Sequence, residues 1–368
     1  GGSLWVLASN IAVFEILRTR TTTARVRAAM IVLIPIVVSL VLLFSYTPSE
    51  RTTQISVIQP NVPCYEDERI TMGKMDPTQD VMDLMANVPA TSSFVLMPES
   101  ALAYLPRIGS VEERNLHYYA PLLRDIQGES HPDTKLITGA STTVRYGDTK
   151  ATDTAHYYDG YGWYDQYNSA LLINSNGETE NIYHKGKLVI GVEAVPMKSL
   201  FDTFEVDLGG VSGQLGWGKE HTLFSNDGVM IGPAICYEGL YGGYFLGFAR
   251  QGAEVMALIS NDGWWGNTPG HKRLFDFCRL RAIETRRAIA RSANTGISGF
   301  ISPTGKTIGE RLTWEEEGVL TAEVELRSEK TIYTLYGDWI ARIASYVAVL
   351  AIMYYVAYRI RKRNHLVD

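Results

Sequence analysis

The 368-residue chain predicts an α/β domain carried between membrane-spanning helices. Three observations predict it. Two uncharged apolar segments stand near the two ends of the chain. Short apolar strands and amphipathic helices interleave over the residues between them. One of those strands, 229–235, stops at Cys236 and turns on Gly239, which is how a sheet presents a nucleophile.

Taken in order, residues 1–17 are apolar apart from Glu15 and predict the end of a membrane helix. The chain has no initiating Met, so it is expected to be a piece of a longer membrane protein. A basic cytoplasmic loop, 18–27, carries Arg18, Arg20, Arg25 and Arg27. Residues 28–46 hold no charge, and at about 1.5 Å per residue they reach the ~30 Å of a hydrocarbon core. The extracytoplasmic domain is expected over 47–337, as one unit without linker or repeat. It opens with strand 55–61 and helix 78–87, and the apolar run 94–98 then ends at Glu99. Helix 115–127 is started or kinked by Pro121. Strands follow at 135–139, 170–174 and 229–235, and strand 252–262 runs into a polar, aromatic turn. A long Arg- and Ala-rich helix is expected over 274–292, then a closing hairpin of 299–306 and 321–326. Residues 338–358 predict the second span, with Trp339 and Arg342 at its interface. The tail, 359–368, is basic again. By the positive-inside rule both basic clusters lie on the cytoplasmic side, which puts 47–337 on the opposite face.

The bulk numbers average over this partition: 46% apolar residues, net charge −6 and a mean hydropathy of −0.05. Without the basic flanks the central region is more acidic than the chain as a whole, which excludes a nucleic-acid partner. Cys64, Cys236 and Cys278 show no metal-ligand spacing, and the seven histidines are scattered, so no metal site is expected. Cys64 and Cys278 are expected as two free thiols, with pairing in an oxidising compartment as the alternative. The glycine-rich run 209–218 lacks the lysine and helix of a phosphate loop and is read as a mobile lid or an ordinary loop. The aromatic stretch 156–164 is a loop that could line an opening at a membrane surface, or a plain one.

Taken singly, the chemical candidates have bland readings. A cysteine after a strand is usually a small core residue. Glu99 could be a cap or surface carboxylate, and Lys185 a solvated turn charge with Lys187 competing beside it. Together they describe acyl transfer through a thioester. A thiol with a pKa near 8.5 needs a base, which Glu99 supplies, and Lys185 stabilises the oxyanion.

Glu99, Lys185 and Cys236, in that order and each at an element end, match the triad of the nitrilase superfamily. The chain resembles its apolipoprotein N-acyltransferase branch, which inserts a nitrilase-like domain between its last two membrane helices. The resemblance covers essentially the whole chain and implies a four-layer α-β-β-α sandwich. It places a glutamate supporting the lysine at Glu193, and Tyr237 and Glu238 beside the nucleophile. It matches a Ser-Asn-Asp-x-Trp motif to Ser260, Asn261, Asp262 and Trp264, where the tryptophan is either core or an aromatic wall. The stretches 281–287 and 291–296 look like the family's as well. The usual Leu-Val-Pro-Phe-Gly-Glu-Tyr loop departs from pattern, reading Leu188-Val189-Ile190-Gly191-Val192-Glu193-Ala194. The implied activity moves an acyl group from a membrane phospholipid, via the cysteine, to the N-terminal amine of a diacylated apolipoprotein. No cofactor is implied, and the implied setting is the bacterial inner membrane, multi-pass, with the domain in the periplasm. The alternatives are a membrane-tethered amidase of the nitrilase type and a non-catalytic homologue that binds lipoprotein or lipid.

Overall fold

The computed structural model describes residues 2–105, 107–128, 131–194 and 214–364, with side chains to 362. The chain forms two compact units, residues 1–48 with 335–368, and residues 49–334.

The first unit is helical. Helix α1 (Gly2–Thr19) breaks at Arg20, which takes φ +55°, and Thr21 caps α2 (Thr22–Phe44) by accepting the Ala24 N–H at 3.2 Å. The second helix therefore starts six residues ahead of the expected span and carries Arg25 and Arg27 in its first turns. The last helix of the chain, Trp339–Asn364, likewise continues past residue 358 into the basic tail. Two of these helices are long and apolar enough to cross a membrane, and hardly any of their surface is covered.

The second unit is built on two sheets. Its elements in chain order are β1 (Thr52–Gln59), α3 (Glu66–Met72), α4 (Thr78–Met85), β2 (Phe94–Leu96), β3 (Ser110–Glu112), α5 (Ala120–Gln127), β4 (Lys135–Gly147), β5 (His156–Tyr158), β6 (Gly162–Ile173) and β7 (Thr179–His184). Then come β8 (Phe224–Asn226), β9 (Val229–Ile235), α6 (Gly242–Gln251), β10 (Val255–Ser260), α7 (Pro269–Thr285), β11 (Ala288–Ala293), β12 (Ser298–Ile301), β13 (Thr307–Leu312) and β14 (Gly318–Glu325). The first sheet runs β14-β1-β2-β4-β6-β5, with β3 on β4 and β7 on β6; the second runs β13-β12-β11-β10-β9-β8. Each has a parallel centre, β1-β2-β4 and β9-β10-β11, and antiparallel edges.

Period-two alternation sorts the side chains. In the first sheet Ile55, Val57, Phe94, Leu96, Ile137, Ala170 and Leu172 join one buried cluster with Ile231, Ile235, Val255, Ile259 and Ile289 of the second. Their neighbours Val95, Met97, Leu136, Leu171 and Ile173 point the other way, against Val81, Leu84, Leu123 and Ile126 of α4 and α5. The first sheet thus has an inner face toward the second sheet and an outer face under helices.

Two sequence expectations are corrected. The helix expected over 274–292 ends at Thr285, because Arg286 turns left-handed at φ +51°. Residues 288–293 are instead a central strand, fully buried between β10 and β12. The Arg-Ala composition misled because Arg287 is buried: its guanidinium donates to the carbonyls of Ala253, Thr285 and Glu329, where an exposed helix would leave it in water. The closing hairpin of 299–306 with 321–326 does not form either. Strand β12 pairs with β13 in the second sheet, while β14 crosses to the edge of the first and pairs with β1.

Candidate active site

Parallel strands gather ligands at their carboxyl ends, and several of the site's side chains stand at or just beyond such ends. Strand β9 delivers Cys236, which takes φ +48°, a left-handed conformation that costs a non-glycine residue energy. Glu99 lies just beyond β2, and Ser100 after it repeats the device at φ +59°. The Glu99 turn rests directly on β4: a Cβ at Gly139 would lie 2.4 Å from the Ser100 nitrogen, so only glycine fits there.

Lys185 follows β7 and is 1% exposed. Its Nζ donates to Oε1 of Glu99 and to Oε1 of Glu193, each at 2.9 Å. The Asn168 amide, on the inner face of β6, donates to the same two oxygens at 2.7 and 2.8 Å. The remaining oxygens are taken by backbone: Glu99 Oε2 accepts the Asn261 N–H at 2.9 Å, and Glu193 Oε2 accepts that of Val189 at 2.8 Å. Burial alone would pull the Lys185 ammonium down, but the Glu193 and Glu99 carboxylates hold it well above its ordinary value, so it stays charged. Lys187, the sequence competitor, is exposed and lies 5.3 Å from the centre of the Tyr244 ring. Burial pushes the Cys236 thiol up, the Glu99 carboxylate adds to this, and Lys185 opposes it. The thiol therefore rests protonated, and a nucleophilic attack from it requires a base.

Glu238 locks the nucleophile's turn to the lysine's. It is fully buried; its Oε2 accepts the Ile235 N–H at 2.8 Å. Its Oε1 accepts from the Tyr183 hydroxyl at 2.6 Å and from the backbone of Gly186 and Lys187 at 2.7 and 3.2 Å. Burial raises its pKa to about 7, against the pull of these donors. A second buried charge pair braces the far side. Asp262 Oδ1 accepts from Arg291 at 2.8 Å and from Ser260 at 2.7 Å. Asn261 adds its side chain to the brace, donating to Tyr104 at 2.7 Å and accepting from the Cys64 thiol at 3.3 Å.

The aromatic candidates stand at the surface. Trp264 is partly exposed and meets Tyr65 edge-on at 5.6 Å, Trp265 is 43% exposed, and Tyr237 meets Tyr241 edge-on at 5.4 Å. Trp264 is thus neither fully buried nor free of packing contacts. The stretch 156–164 is not a loop but a hairpin of β5 and the start of β6, with Tyr157 and Tyr158 exposed. Of the glycine-rich run, 209–213 lies outside the described residues. Leu215, Gly216 and Gly218 donate backbone N–H groups to Glu193, Gln166 and Lys185, which ties this part of the run to the site. All three cysteines are free, and no metal-binding cluster occurs among the described residues.

The carbon-nitrogen hydrolase family model matches residues 79–332, most of the chain. The chain belongs to the carbon-nitrogen hydrolase family. Within that family it is 29% identical, over 96% of its length, to the apolipoprotein N-acyltransferase of Chlorobaculum tepidum, of which it spans 68%. It is 30% identical, over 57% of its length, to apolipoprotein N-acyltransferase 2 of Treponema denticola, of which it spans 39%. A Saccharomyces cerevisiae member of branch 10 of the nitrilase superfamily shares the fold at a TM-score of 0.51 and 16% identity, covering 76% of this chain and 92% of that one. The chain is thus an α/β protein of the nitrilase type.

Two contributors to the carbon-nitrogen hydrolase site went unread in the sequence. Asn168 belongs to no motif and lies one alternation before the apolar inward pair Ala170 and Leu172 of β6. The strand read from the sequence, 170–174, began after it, so no local signal marked it. Tyr104 gave none, since it reaches Asn261 only through the fold.

Proposed function

We propose that this chain is an N-acyltransferase that works through a Cys236 thioester, with Glu99 as base and Lys185 as oxyanion support. The observation that carries this reading is the buried Lys185 ammonium held 2.9 Å from both Glu99 and Glu193, with Cys236 at the strained end of β9. In the first step Glu99 takes the thiol proton as sulfur attacks a phospholipid ester carbonyl. The oxyanion forms next to Lys185, and the C–O bond breaks with the proton returned to the lysophospholipid oxygen. In the second step the α-amine of a diacylglyceryl-cysteine attacks the thioester. Glu99 takes its proton, and the thiolate leaves and is reprotonated. Glu193 and Asn168 hold the lysine and base in register; Glu238 and Asn261 do so for the nucleophile and base. Tyr237 and Trp264 are available to a lipid chain at the site's mouth.

The reading carries a setting with it. The helices Thr22–Phe44 and Trp339–Lys362, which hold most of 28–46 and 338–358, span a bacterial inner membrane, the basic residues of 18–27 and 359–368 face the cytoplasm, and 47–337 is a periplasmic α-β-β-α sandwich. Residues 1–17 lie in a further membrane helix. The names of the Chlorobaculum and Treponema relatives support the lipoprotein acceptor. A bilayer donor suits the two exposed apolar helices. The amidase reading uses the same residues and differs only in the acceptor, which is water.

The test is acylation of the detergent-solubilised chain by phospholipid, followed by intact mass and peptide mapping. A hydroxylamine-labile acyl mass on the Cys236 peptide, absent in Cys236→Ala, is the expected result. Adding a diacylated lipopeptide should then discharge the acyl group onto its amine. Discharge to free fatty acid alone would favour the amidase, and no adduct in folded protein would end the acyltransferase reading.

A further inference from the structure

Helix α3 packs beside the turn that carries the base, and it brings one arginine there. The Arg69 guanidinium lies 5.2 Å from the centre of the Tyr104 ring. The Tyr104 hydroxyl accepts from the Asn261 amide at 2.7 Å, and the Asn261 backbone N–H holds Glu99 Oε2 at 2.9 Å. Arg69 is therefore one side chain removed from the residue that holds the base. Its own N–H bonds the carbonyl of Tyr65, which places it one helical turn from the Tyr65–Trp264 pair.

The side chain is fixed, and its recognition edge is open. Nη1 donates to the carbonyls of Pro63 and Cys64 at 3.1 and 2.9 Å, which uses both of its hydrogens. That stretch is itself held, because Asn294 accepts the Val62 N–H at 3.1 Å and donates to the Val62 carbonyl at 2.7 Å. Among the described residues no hydrogen bond or ion pair takes Nε or Nη2 of Arg69. Those two nitrogens form the planar edge of the fork that grips two oxygens of one phosphate. Glu66, Asp67 and Glu68 open the same helix, but they are exposed and screened by water, and none forms an ion pair with Arg69. Ile70 and Met72 of α3, Met75 just after it and Tyr65 just before it are exposed as well. One pinned cation set among apolar side chains suits a ligand that joins a phosphate to hydrocarbon. A soluble anion would gain nothing from those side chains.

We propose that Arg69 binds the phosphodiester of the phospholipid acyl donor and so sets the donor's ester against Cys236 and Glu99. The proposal rests on the lipid-donor reading of the site. Phosphate and acyl ester hang on one glycerol unit a few bonds apart, so a phosphate fixed at Arg69 leaves the ester on a short tether beside the base. Arg69 makes and breaks no covalent bond; it acts by binding alone.

The experiment compares two acyl donors with the same chain, dioleoyl phosphatidylglycerol and p-nitrophenyl oleate, which has no phosphate. Rates of Cys236 acylation are read by intact mass of the detergent-solubilised chain. Arg69→Gln keeps an N–H for the Cys64 carbonyl and loses the charged fork. It should lower the ratio of phospholipid to p-nitrophenyl rates by about tenfold to a hundredfold, through a higher half-saturating phospholipid content and not a lower maximal rate. Arg69→Lys keeps the charge without the planar edge and should lower the ratio about fivefold. It decides the matter if the glutamine variant fails to fold. An unchanged ratio in the deciding variant, equal losses with both donors included, overturns the proposal and leaves Arg69 as a brace for residues 63–64. A fall in maximal rate alone overturns it too. Inorganic phosphate added to the p-nitrophenyl reaction should change nothing. An Arg69-dependent change there would assign the edge to free phosphate and overturn the head-group assignment. A wild type acylated by the p-nitrophenyl ester but never by phospholipid overturns both the proposal and the lipid-donor reading, and leaves the thioester standing. Acylation by neither donor ends all three.

Discussion

Glu238 sets the clearest pH expectation for a single residue. Its folded pKa, about 7, lies above its ordinary 4.5, so the folded chain binds this proton more tightly than the unfolded one. The contribution is complete below pH 4.5 and is lost as pH rises through 7, an effect of roughly 3 kcal/mol from the 2.5-unit difference. Thermal melts of the solubilised chain should show the catalytic domain losing stability between these limits. In Glu238→Gln that slope should flatten, while the whole curve drops by about 1–3 kcal/mol because an amide cannot accept all four donors. Parallel slopes in the two proteins would refute the assignment. At this scale Cys236 and Glu99 stood out as candidates because each ends an apolar run, whereas Lys185 follows the mixed segment Thr179–His184 and stood out only in company with the other two. What the residues could not reveal was Lys185 over Lys187. Two residues apart in a turn, they are chemically equal until the fold buries one.

The elements that carry the site depend on turns more than on the strands themselves. Glu99 can face Lys185 only because its turn presses on Gly139, which leaves no room for a methyl group. Gly139→Ala should cost about 1–3 kcal/mol by overpacking against backbone that cannot yield. It should also slow Cys236 acylation by about a hundredfold, the effect of an ångström's displacement of a base. Gly243→Ala, with nothing near its Cβ, should leave acylation unchanged. Equal rates in the two variants would mean that the Glu99 turn has slack. The same scale explains the failed helix at 288–293. Helical spacing and arginine content describe a solvated surface, whereas Arg287 and Arg291 are buried here, bonding backbone carbonyls and Asp262. Local pattern cannot distinguish an arginine facing water from one facing a carbonyl that folding brings up.

Across the whole molecule, the sequence alone determined that apolar helices flank an α/β region, because span length and interleaved periodicity are local properties of the chain. The proposed spans make one expectation plain. After alkaline carbonate extraction the full-length chain should remain in the membrane pellet, and release into the supernatant would end the spanning reading of Thr22–Phe44 and Trp339–Lys362. Sequence also carried Glu99, Lys185, Glu193, Cys236 and Asn261 as candidates, since strand ends and motif spacing are read along one dimension. Tertiary structure decided the rest. It sent β14 to the first sheet and kept β12 and β13 in the second, because edge pairing is chosen by which strand is left open and not by proximity in the chain. It also set Asn168 between two carboxylates. Residues as far as 162 apart meet at the site within 3 Å, and hydrogen bonds of that kind exist only once two sheets and their turns have closed around them.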